Sequence, residues 1–208
     1  MVAGISPLQN SKKGVEGSFW LVGLAVHDVD QSLTAAADNG FAVYEDAEEV
    51  GEYGRFAVIA DRQKAPLQLV EAGSKPIGGT TGPGSWVWAE LWTDDIEDAA
   101  ASYAAVLGVS HDQLDRGGEP YHVFTSKGEA RTGIVAIPDE FENVDPGWAP
   151  YVAVAELAAA LEDVTRLGGK VVFSETEHPA QGSVALIMDP TGAVLFLYQI
   201  GSHQEASP

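Results

Sequence analysis

One carboxylate of the chain lies among indole side chains, in the strand-like segment 85–93 (SWVWAELWT). Alternation along a strand places Glu90 on the same face as Trp86, Trp88 and Trp92. A carboxylate in such surroundings could act as a proton acceptor in catalysis, or anchor the polar end of an aromatic ligand. The alternative is a structural carboxylate that is satisfied by backbone groups or by an arginine at the rim of a cavity. The sequence leaves both interpretations open.

Other aromatic residues occupy positions that we expect to face the same cavity. We predict a ligand-binding set that consists of Glu90 and seven aromatic residues, which are Trp86, Trp88, Trp92, Tyr121, Tyr151, Phe196 and Tyr198. Aromatic walls of this kind bind planar or apolar molecules. The alternative for each single member is ordinary core packing, so the set carries more weight than any one residue.

The sequence contains five histidines and no cysteine, so a metal centre would need histidine, aspartate or glutamate ligands. None of the histidines shows the His-x-x-x-His spacing of a helical metal site; they are His27, His111, His122, His178 and His203. We therefore predict no metal ligands and no cofactor. Glu90 with His122 stays open as an unconventional pair, although Tyr121 and His122 alternate and point to opposite faces of a regular strand.

Acidic residues dominate the charge of the chain, with 31 Asp and Glu against 11 Lys and Arg and a net charge of −20. Residues 76–115 hold seven acids and no basic residue. Nucleic acids and anionic membranes bind basic surfaces, so we expect neither as a partner. Since no apolar stretch approaches the roughly 18 residues that span a bilayer, we expect a soluble, cytoplasmic protein.

The chain is similar to itself at a constant offset of 128 residues. Matching pairs include Trp20 with Trp148, Gly40 with Gly168, and Asp61 with Asp189. An offset that holds over such a length predicts a duplicated unit.

Local patterns follow the order β-α-β-β-β, which predicts an α+β fold of repeated βαβββ modules. We predict a partial unit at 1–72, formed by the end of one module and one complete module. A Gly/Pro-rich linker at 73–84 follows, then a complete two-module unit at 85–200 and a flexible tail at 201–208.

Several motifs support a family resemblance. They are Trp-x-Glu-Leu-x-Thr-Asp-Asp at 88–95, Tyr-Val-Ala-Val at 151–154, the Gly-Gly helix stop at 168–169 and Asp-Pro-Thr-Gly-Ala at 189–193. With the module order, they resemble the vicinal oxygen chelate superfamily, which includes glyoxalase I, bleomycin resistance proteins and extradiol dioxygenases. The similarity is greatest to its fused, multi-module glyoxalase-like branch. The resemblance implies paired modules whose curled mixed sheets enclose a cavity.

The resemblance also points to positions for metal ligands, on the first and last strands of a module. The first-strand positions fall on Leu21, Trp88 and Ala149, and two last-strand positions fall on Gln68 and Phe196. The second module lacks the Asp-Pro-x-Gly motif, so its last-strand position is undetermined. Because none of these five side chains is an imidazole or a carboxylate, we expect the inherited metal site to be lost.

We therefore expect metal-independent binding of a small, partly aromatic molecule in the cavity of 85–200, as in a sequestration or resistance protein. The alternative is a glyoxalase- or dioxygenase-like lyase or oxidoreductase, which uses unconventional metal ligands or Glu90 as acid/base. A structural interaction module is a third possibility, if Trp88 and Phe196 themselves fill the cavity.

The module at 18–72 has no complete partner module before it in the sequence. An apolar sheet face without a cover associates readily. We expect either a homodimer that pairs this module with its copy, or pairing with a missing upstream module.

Overall fold

The computed structural model describes residues 18–75, 82–116, 118–138, 144–178 and 182–199. Residues 1–17 of the predicted partial unit and the predicted tail 201–208 lie outside the described residues.

In the described part of the chain, three modules with the order β-α-β-β-β follow one another. The first contains β1 (Gly23–Val26), α1 (Val29–Asp38), β2 (Ala42–Glu49), β3 (Gly54–Ala60) and β4 (Pro66–Ala72). The second contains β5 (Trp86–Thr93), α2 (Ile96–Leu107), β6 (Ser110–Arg116), β7 (Glu119–Ser126) and β8 (Glu129–Ala136). The third contains β9 (Gly147–Val154), α3 (Leu157–Arg166), β10 (Lys170–His178), β11 (Gly182–Met188) and β12 (Val194–Gln199).

Strand pairing is the same in all three modules. The first strand runs parallel to the fourth, while the second, third and fourth strands form an antiparallel meander. The parallel pairing requires a crossover, and the single helix of each module supplies it. The predicted α+β fold of repeated βαβββ modules with mixed sheets is therefore confirmed. The sheets are open, since the first module's sheet has β1 and β2 as its edge strands.

Local sequence sets where the helices begin. Asp28 precedes α1, and its carboxylate accepts a hydrogen bond from the Gln31 amide at 2.9 Å. Asp95 precedes α2 in the same way and accepts from the Asp98 amide at 3.0 Å. These caps satisfy amides that have no partner within the helix. At its other end, α2 stops at Gly108, whose φ of +65° suits glycine.

The chain divides into two compact units. One contains Leu21–Ile77 and Trp88–Ala149, and the other contains Met1–Trp20, Gly78–Val87 and Pro150–Pro208. The first of these units thus holds the first module and most of the second. The sequence predicted a partial unit at 1–72 and a two-module unit at 85–200, and that pairing of the second and third modules stays a prediction.

The first unit has a core between its sheets and its helices. Helices α1 and α2 contact each other, and fully buried side chains from both modules pack around them. This core includes Val29, Ile59, Leu67, Leu69, Leu91, Tyr103, Phe124 and Ile134. In the other unit, one face of α3 packs on its sheet through Leu157, Ala185, Ile187, Leu195 and Leu197.

A buried polar contact links the two modules of the first unit. The Tyr103 hydroxyl on α2 donates to Asp61 Oδ2 at 3.0 Å, and Trp148 Nε1 donates to the same hydroxyl at 3.3 Å. Burial raises the pKa of Tyr103 well above its ordinary value, and the neighbouring Asp61 charge adds to the effect. Tyr103 therefore stays protonated and holds the turn after β3 against α2.

No helix among the described residues is long and apolar enough to cross a membrane.

Candidate functional site

Strand register places Glu90 on the sheet face opposite α2. Glu90 in β5 is the register partner of Gly133 in β8, and the next residues, Leu91 and Ile134, are partners in the core beside α2. Since successive side chains alternate, Glu90 and position 133 face away from the helix. Tyr121 in β7 reaches this same face, as its contact with Glu90 shows. The second module thus places a carboxylate and an aromatic ring on the same face of the sheet.

Three side chains on this face form a linear chain of hydrogen bonds. The Tyr121 hydroxyl donates to Glu90 Oε1 at 2.6 Å, and Trp88 Nε1 donates to the Tyr121 oxygen at 2.9 Å. Glu90 is 4% exposed and Tyr121 is 7% exposed, whereas Trp88 is half-buried. We call these three residues the Trp-Tyr-Glu cluster. Its polar atoms satisfy one another, which a buried carboxylate requires.

The tyrosine of the cluster is held in its neutral form. Burial raises the pKa of Tyr121 far above its ordinary value, and the charge of Glu90 and their shared hydrogen bond raise it further. Tyr121 is therefore a permanent donor at neutral pH. A hydroxyl that donates to Glu90 is not available as a base. The cluster is therefore suited to holding the Glu90 carboxylate in a fixed position.

An arginine covers the cluster from the solvent side. Arg116, the last residue of β6, places Nη1 3.6 Å from Glu90 Oε1 and Cζ 3.7 Å from the centre of the Tyr121 ring. Its side chain is 32% exposed. The guanidinium thus makes a cation–π contact and an ion-pair contact at once. Glu90 therefore has an arginine partner, as expected if Glu90 is a structural carboxylate.

Gly133 makes room for the cluster. A Cβ atom at this position would lie 1.9 Å from Tyr121 Oη, 2.7 Å from Tyr121 Cζ and 3.0 Å from Glu90 Cγ. No side chain fits there while Tyr121 donates to Glu90. The short contact therefore explains why the strand carries a glycine, which is otherwise a poor strand residue.

The third module places two aromatic rings at the corresponding register positions. Tyr151 in β9 is the partner of Phe196 in β12, and their rings are stacked with centroids 4.3 Å apart and an interplanar angle of 13°. Phe196 is 5% exposed, while Tyr151 is half-buried. Tyr198, two residues further along β12, is also half-buried.

Trp86 and Trp92 are the other two predicted tryptophans, and both lie on β5. The Trp86 ring contacts Trp20, with centroids 5.0 Å apart. Trp92 is 8% exposed.

The open pair of Glu90 with His122 does not form. His122 is the register partner of the core residue Ile134, so it lies on the helix side of the sheet, opposite Glu90. Its Nδ1 lies 2.9 Å from Nε2 of His111, and the two rings are stacked. The alternation noted in the sequence decides this outcome.

Sequence reasoning missed Arg116 and Gly133. Arg116 ends the basic-free stretch 76–115, but nothing local places it over Tyr121. Gly133 could be found only through its register with Glu90.

Comparison with known proteins identifies the family. No model of a known protein family matches the chain. CFP32 of Mycobacterium bovis, which carries the provisional name of a glyoxylase, is 31% identical over 196 residues, or 93% of this chain and 74% of that protein. The chain belongs to the vicinal oxygen chelate superfamily. The resemblance to the superfamily is thereby confirmed, while the assignment to its fused, multi-module branch stays a prediction.

Other relatives of the superfamily agree with this assignment. The anthracycline biosynthesis protein DauV of Streptomyces sp. (strain C5) is 31% identical over 182 residues, which are 85% of this chain and 64% of that protein. The Mn(II)-bound glyoxalase of Novosphingobium aromaticivorans matches 85% of this chain and 61% of its own with a TM-score of 0.59 at 13% identity. The 2,3-dioxygenase LapB of Pseudomonas sp. KL28 matches 89% of this chain and 74% of its own with a TM-score of 0.56 at 15% identity. The two solved structures share the fold.

Strand register assigns the last-strand metal-ligand position that the sequence left undetermined in the second module. In the first and third modules, the last-strand positions Gln68 and Phe196 are register partners of Gly23 and Tyr151. The same pairing in the second module, Glu90 with its β8 partner, assigns the undetermined last-strand position to Gly133.

These positions do not fit a metal ion. Glycine and phenylalanine have no ligand atom in the side chain, and the first-strand residues Leu21, Trp88 and Ala149 have no carboxylate or imidazole. In the second module, the Tyr121 hydroxyl fills the space of the missing ligand. Across the described part of the chain, no three His, Cys, Asp or Glu side chains converge on a point that could hold a metal.

Proposed function

We propose that this chain binds a small, partly aromatic molecule without a metal ion, as a sequestration or resistance protein does. One observation carries the proposal. At the last-strand position of the second module, where the superfamily places a metal ligand, Gly133 leaves space that the Tyr121 hydroxyl occupies. The site is thus built around a tyrosine and a tryptophan instead of metal ligands.

This proposal uses half-buried aromatic rings, one in each of the two compact units. Trp88 is fixed by its hydrogen bond to Tyr121, and Tyr151 is fixed by its stack on Phe196. Each ring is only partly covered, so it can stack on a planar ligand. A ring that is already held in place loses little conformational freedom on binding.

The names of two relatives favour an aromatic ligand. DauV of Streptomyces sp. (strain C5) and DnrV of Streptomyces peucetius are both described as anthracycline biosynthesis proteins. Anthracyclines contain fused aromatic rings. These two relatives are thus named for the biosynthesis of fused-ring compounds, which are of the kind that aromatic side chains bind by stacking.

An enzymatic function is the second candidate, because CFP32 is named as a glyoxylase. It would need Glu90 as acid/base or an unconventional metal site. Glu90 is 4% exposed and accepts from Tyr121, and His122 lies on the other face of the sheet. These contacts favour binding over catalysis.

Tryptophan fluorescence tests the binding proposal. We expect titration with a panel of fused-ring compounds, including an anthracycline, to quench part of the emission. In a Trp88→Phe variant the quenched part should fall. Trp148→Phe is the matched control, because Trp148 is 7% exposed, packs in the core and should leave the quenching intact. Absence of any quenching across the panel would contradict the proposal and favour an interaction module.

Elemental analysis separates the binder from a metalloenzyme. Protein purified without chelator should carry no stoichiometric divalent ion. A stoichiometric ion that disappears in Glu90→Gln would overturn the metal-free proposal. Glyoxalase and catechol ring-cleavage assays on the same samples should show no turnover above a buffer control.

A further inference from the structure

We propose that the Trp-Tyr-Glu cluster binds an aromatic molecule that carries an amine or ammonium group. The charge of that ligand takes the place of the Arg116 guanidinium over Tyr121. This inference rests on the proposed function and names the chemical class of its ligand.

The position of Arg116 shows which chemistry the cluster accepts. Its guanidinium lies 3.7 Å over the Tyr121 ring and 3.6 Å from a carboxylate oxygen that is almost fully buried. An aromatic face beside a carboxylate attracts cations in general, including ammonium ligands. The positive charge of Arg116 therefore occupies a site that also suits the positive charge of a ligand.

Arg116 can leave this site without unfolding the strand. Its side chain is 32% exposed, and its nearest distance to Glu90, 3.6 Å, is longer than a hydrogen bond. It is the last residue of β6, close to Gly118, whose φ of +94° marks the turn to β7. Rotation of the guanidinium into water leaves Glu90 and Tyr121 hydrogen-bonded to each other.

The charge of the chain favours the same ligand class. The chain has a net charge of −20, and no Lys or Arg occurs in residues 76–115, which directly precede Arg116. A negative field of this kind raises the local concentration of cations and repels anions. When Arg116 turns away, an ammonium group can take its place beside the Glu90 carboxylate.

Three probes with the same ring system test the inference. They are 2-naphthylmethylammonium, the neutral 2-naphthylmethanol and the anionic 2-naphthoate, each titrated by calorimetry at pH 7. We expect the ammonium compound to bind at least tenfold more tightly than the alcohol. Arg116→Gln should strengthen its binding at least threefold, because the competing cation is removed.

A charge variant of the cluster gives the second arm. Glu90→Gln keeps an acceptor oxygen for Tyr121 but removes the charge, so the preference for the ammonium compound over the alcohol should disappear. Glu97→Gln is the matched control, since Glu97 is exposed in the first turn of α2 and should leave the preference unchanged. If Glu90→Gln does not fold by circular dichroism, the Arg116 variant still decides.

The outcomes separate this inference from the proposed function. Equal affinity for the ammonium compound and the alcohol would overturn the inference while leaving aromatic binding intact. Tightest binding of 2-naphthoate, lost in Arg116→Gln, would overturn it as well and show that Arg116 holds an anion. No binding of any probe would contradict both proposals.

Discussion

Replacement of Gly133 by alanine should break the Trp-Tyr-Glu cluster. The new methyl group would lie 1.9 Å from Tyr121 Oη and 2.7 Å from Tyr121 Cζ, and both contacts are too short for real atoms. The tyrosine must move, because the backbone on the other side of the methyl group is fixed in β8. Movement of its hydroxyl breaks the hydrogen bonds to Glu90 and from Trp88.

The size of the effect follows from two losses and one smaller gain. Overpacking of a well-filled site costs about 1–3 kcal/mol. Loss of a hydrogen bond to a charged acceptor adds about 1.5–3 kcal/mol. Gly133 has an ordinary strand conformation without positive φ, so alanine recovers roughly 0.5–1 kcal/mol of backbone entropy. We expect the free energy of unfolding to fall by about 2–5 kcal/mol, the sum of these contributions.

Urea denaturation followed by tryptophan fluorescence and circular dichroism measures this loss, with coincident transitions as the test of two-state unfolding. Gly147→Ala is the control, because the nearest atom to its added Cβ is Asp145 O at 3.9 Å. That variant should change the free energy of unfolding by no more than about 0.5 kcal/mol. In a Tyr121→Leu background, Gly133→Ala should lose most of its cost, since the clashing atoms are gone. A Gly133→Ala protein as stable as wild type would refute the assigned geometry.

Three further predictions concern other parts of the molecule. Tyr103 and Tyr121 both have a pKa raised by burial above the ordinary 10.0, so the unfolded chain releases these protons first. Below pH 10, the contribution of these two tyrosines to the free energy of unfolding is fully present. Above pH 10, the free energy of unfolding should fall by up to about 1.4 kcal/mol per pH unit for each tyrosine. Urea denaturation at several pH values should show a smaller slope for Tyr103→Phe. Asp61→Ala should destabilise the protein by about 1–3 kcal/mol more than Asp189→Ala, because both aspartates close a turn but only Asp61 also accepts from Tyr103, and equal losses would contradict this. If a second copy covers the module 18–72, sedimentation at micromolar concentration should give the mass of two 21.9 kDa chains, and a monomer would exclude the homodimer.

The sequence alone predicted the module order and the face of Glu90. Both depend on local periodicity, because a period of two or 3.6 residues assigns a side chain to a face whatever the rest of the chain does. The same alternation separated His122 from Tyr121, and the structure places these two residues on opposite faces. The family was likewise visible in short motifs that are contiguous in the sequence.

Tertiary structure decided which residues meet on that face. The hairpin between β7 and β8 lacks the Asp-Pro-x-Gly motif, so only the register of β8 against β5 could assign the last-strand position to Gly133. Arg116 reaches Tyr121 because antiparallel pairing brings the end of β6 beside the start of β7. Glu90 and Gly133 are distant in sequence, whereas Arg116 and Tyr121 share one hairpin, but both contacts depend on strand register, which local composition does not encode.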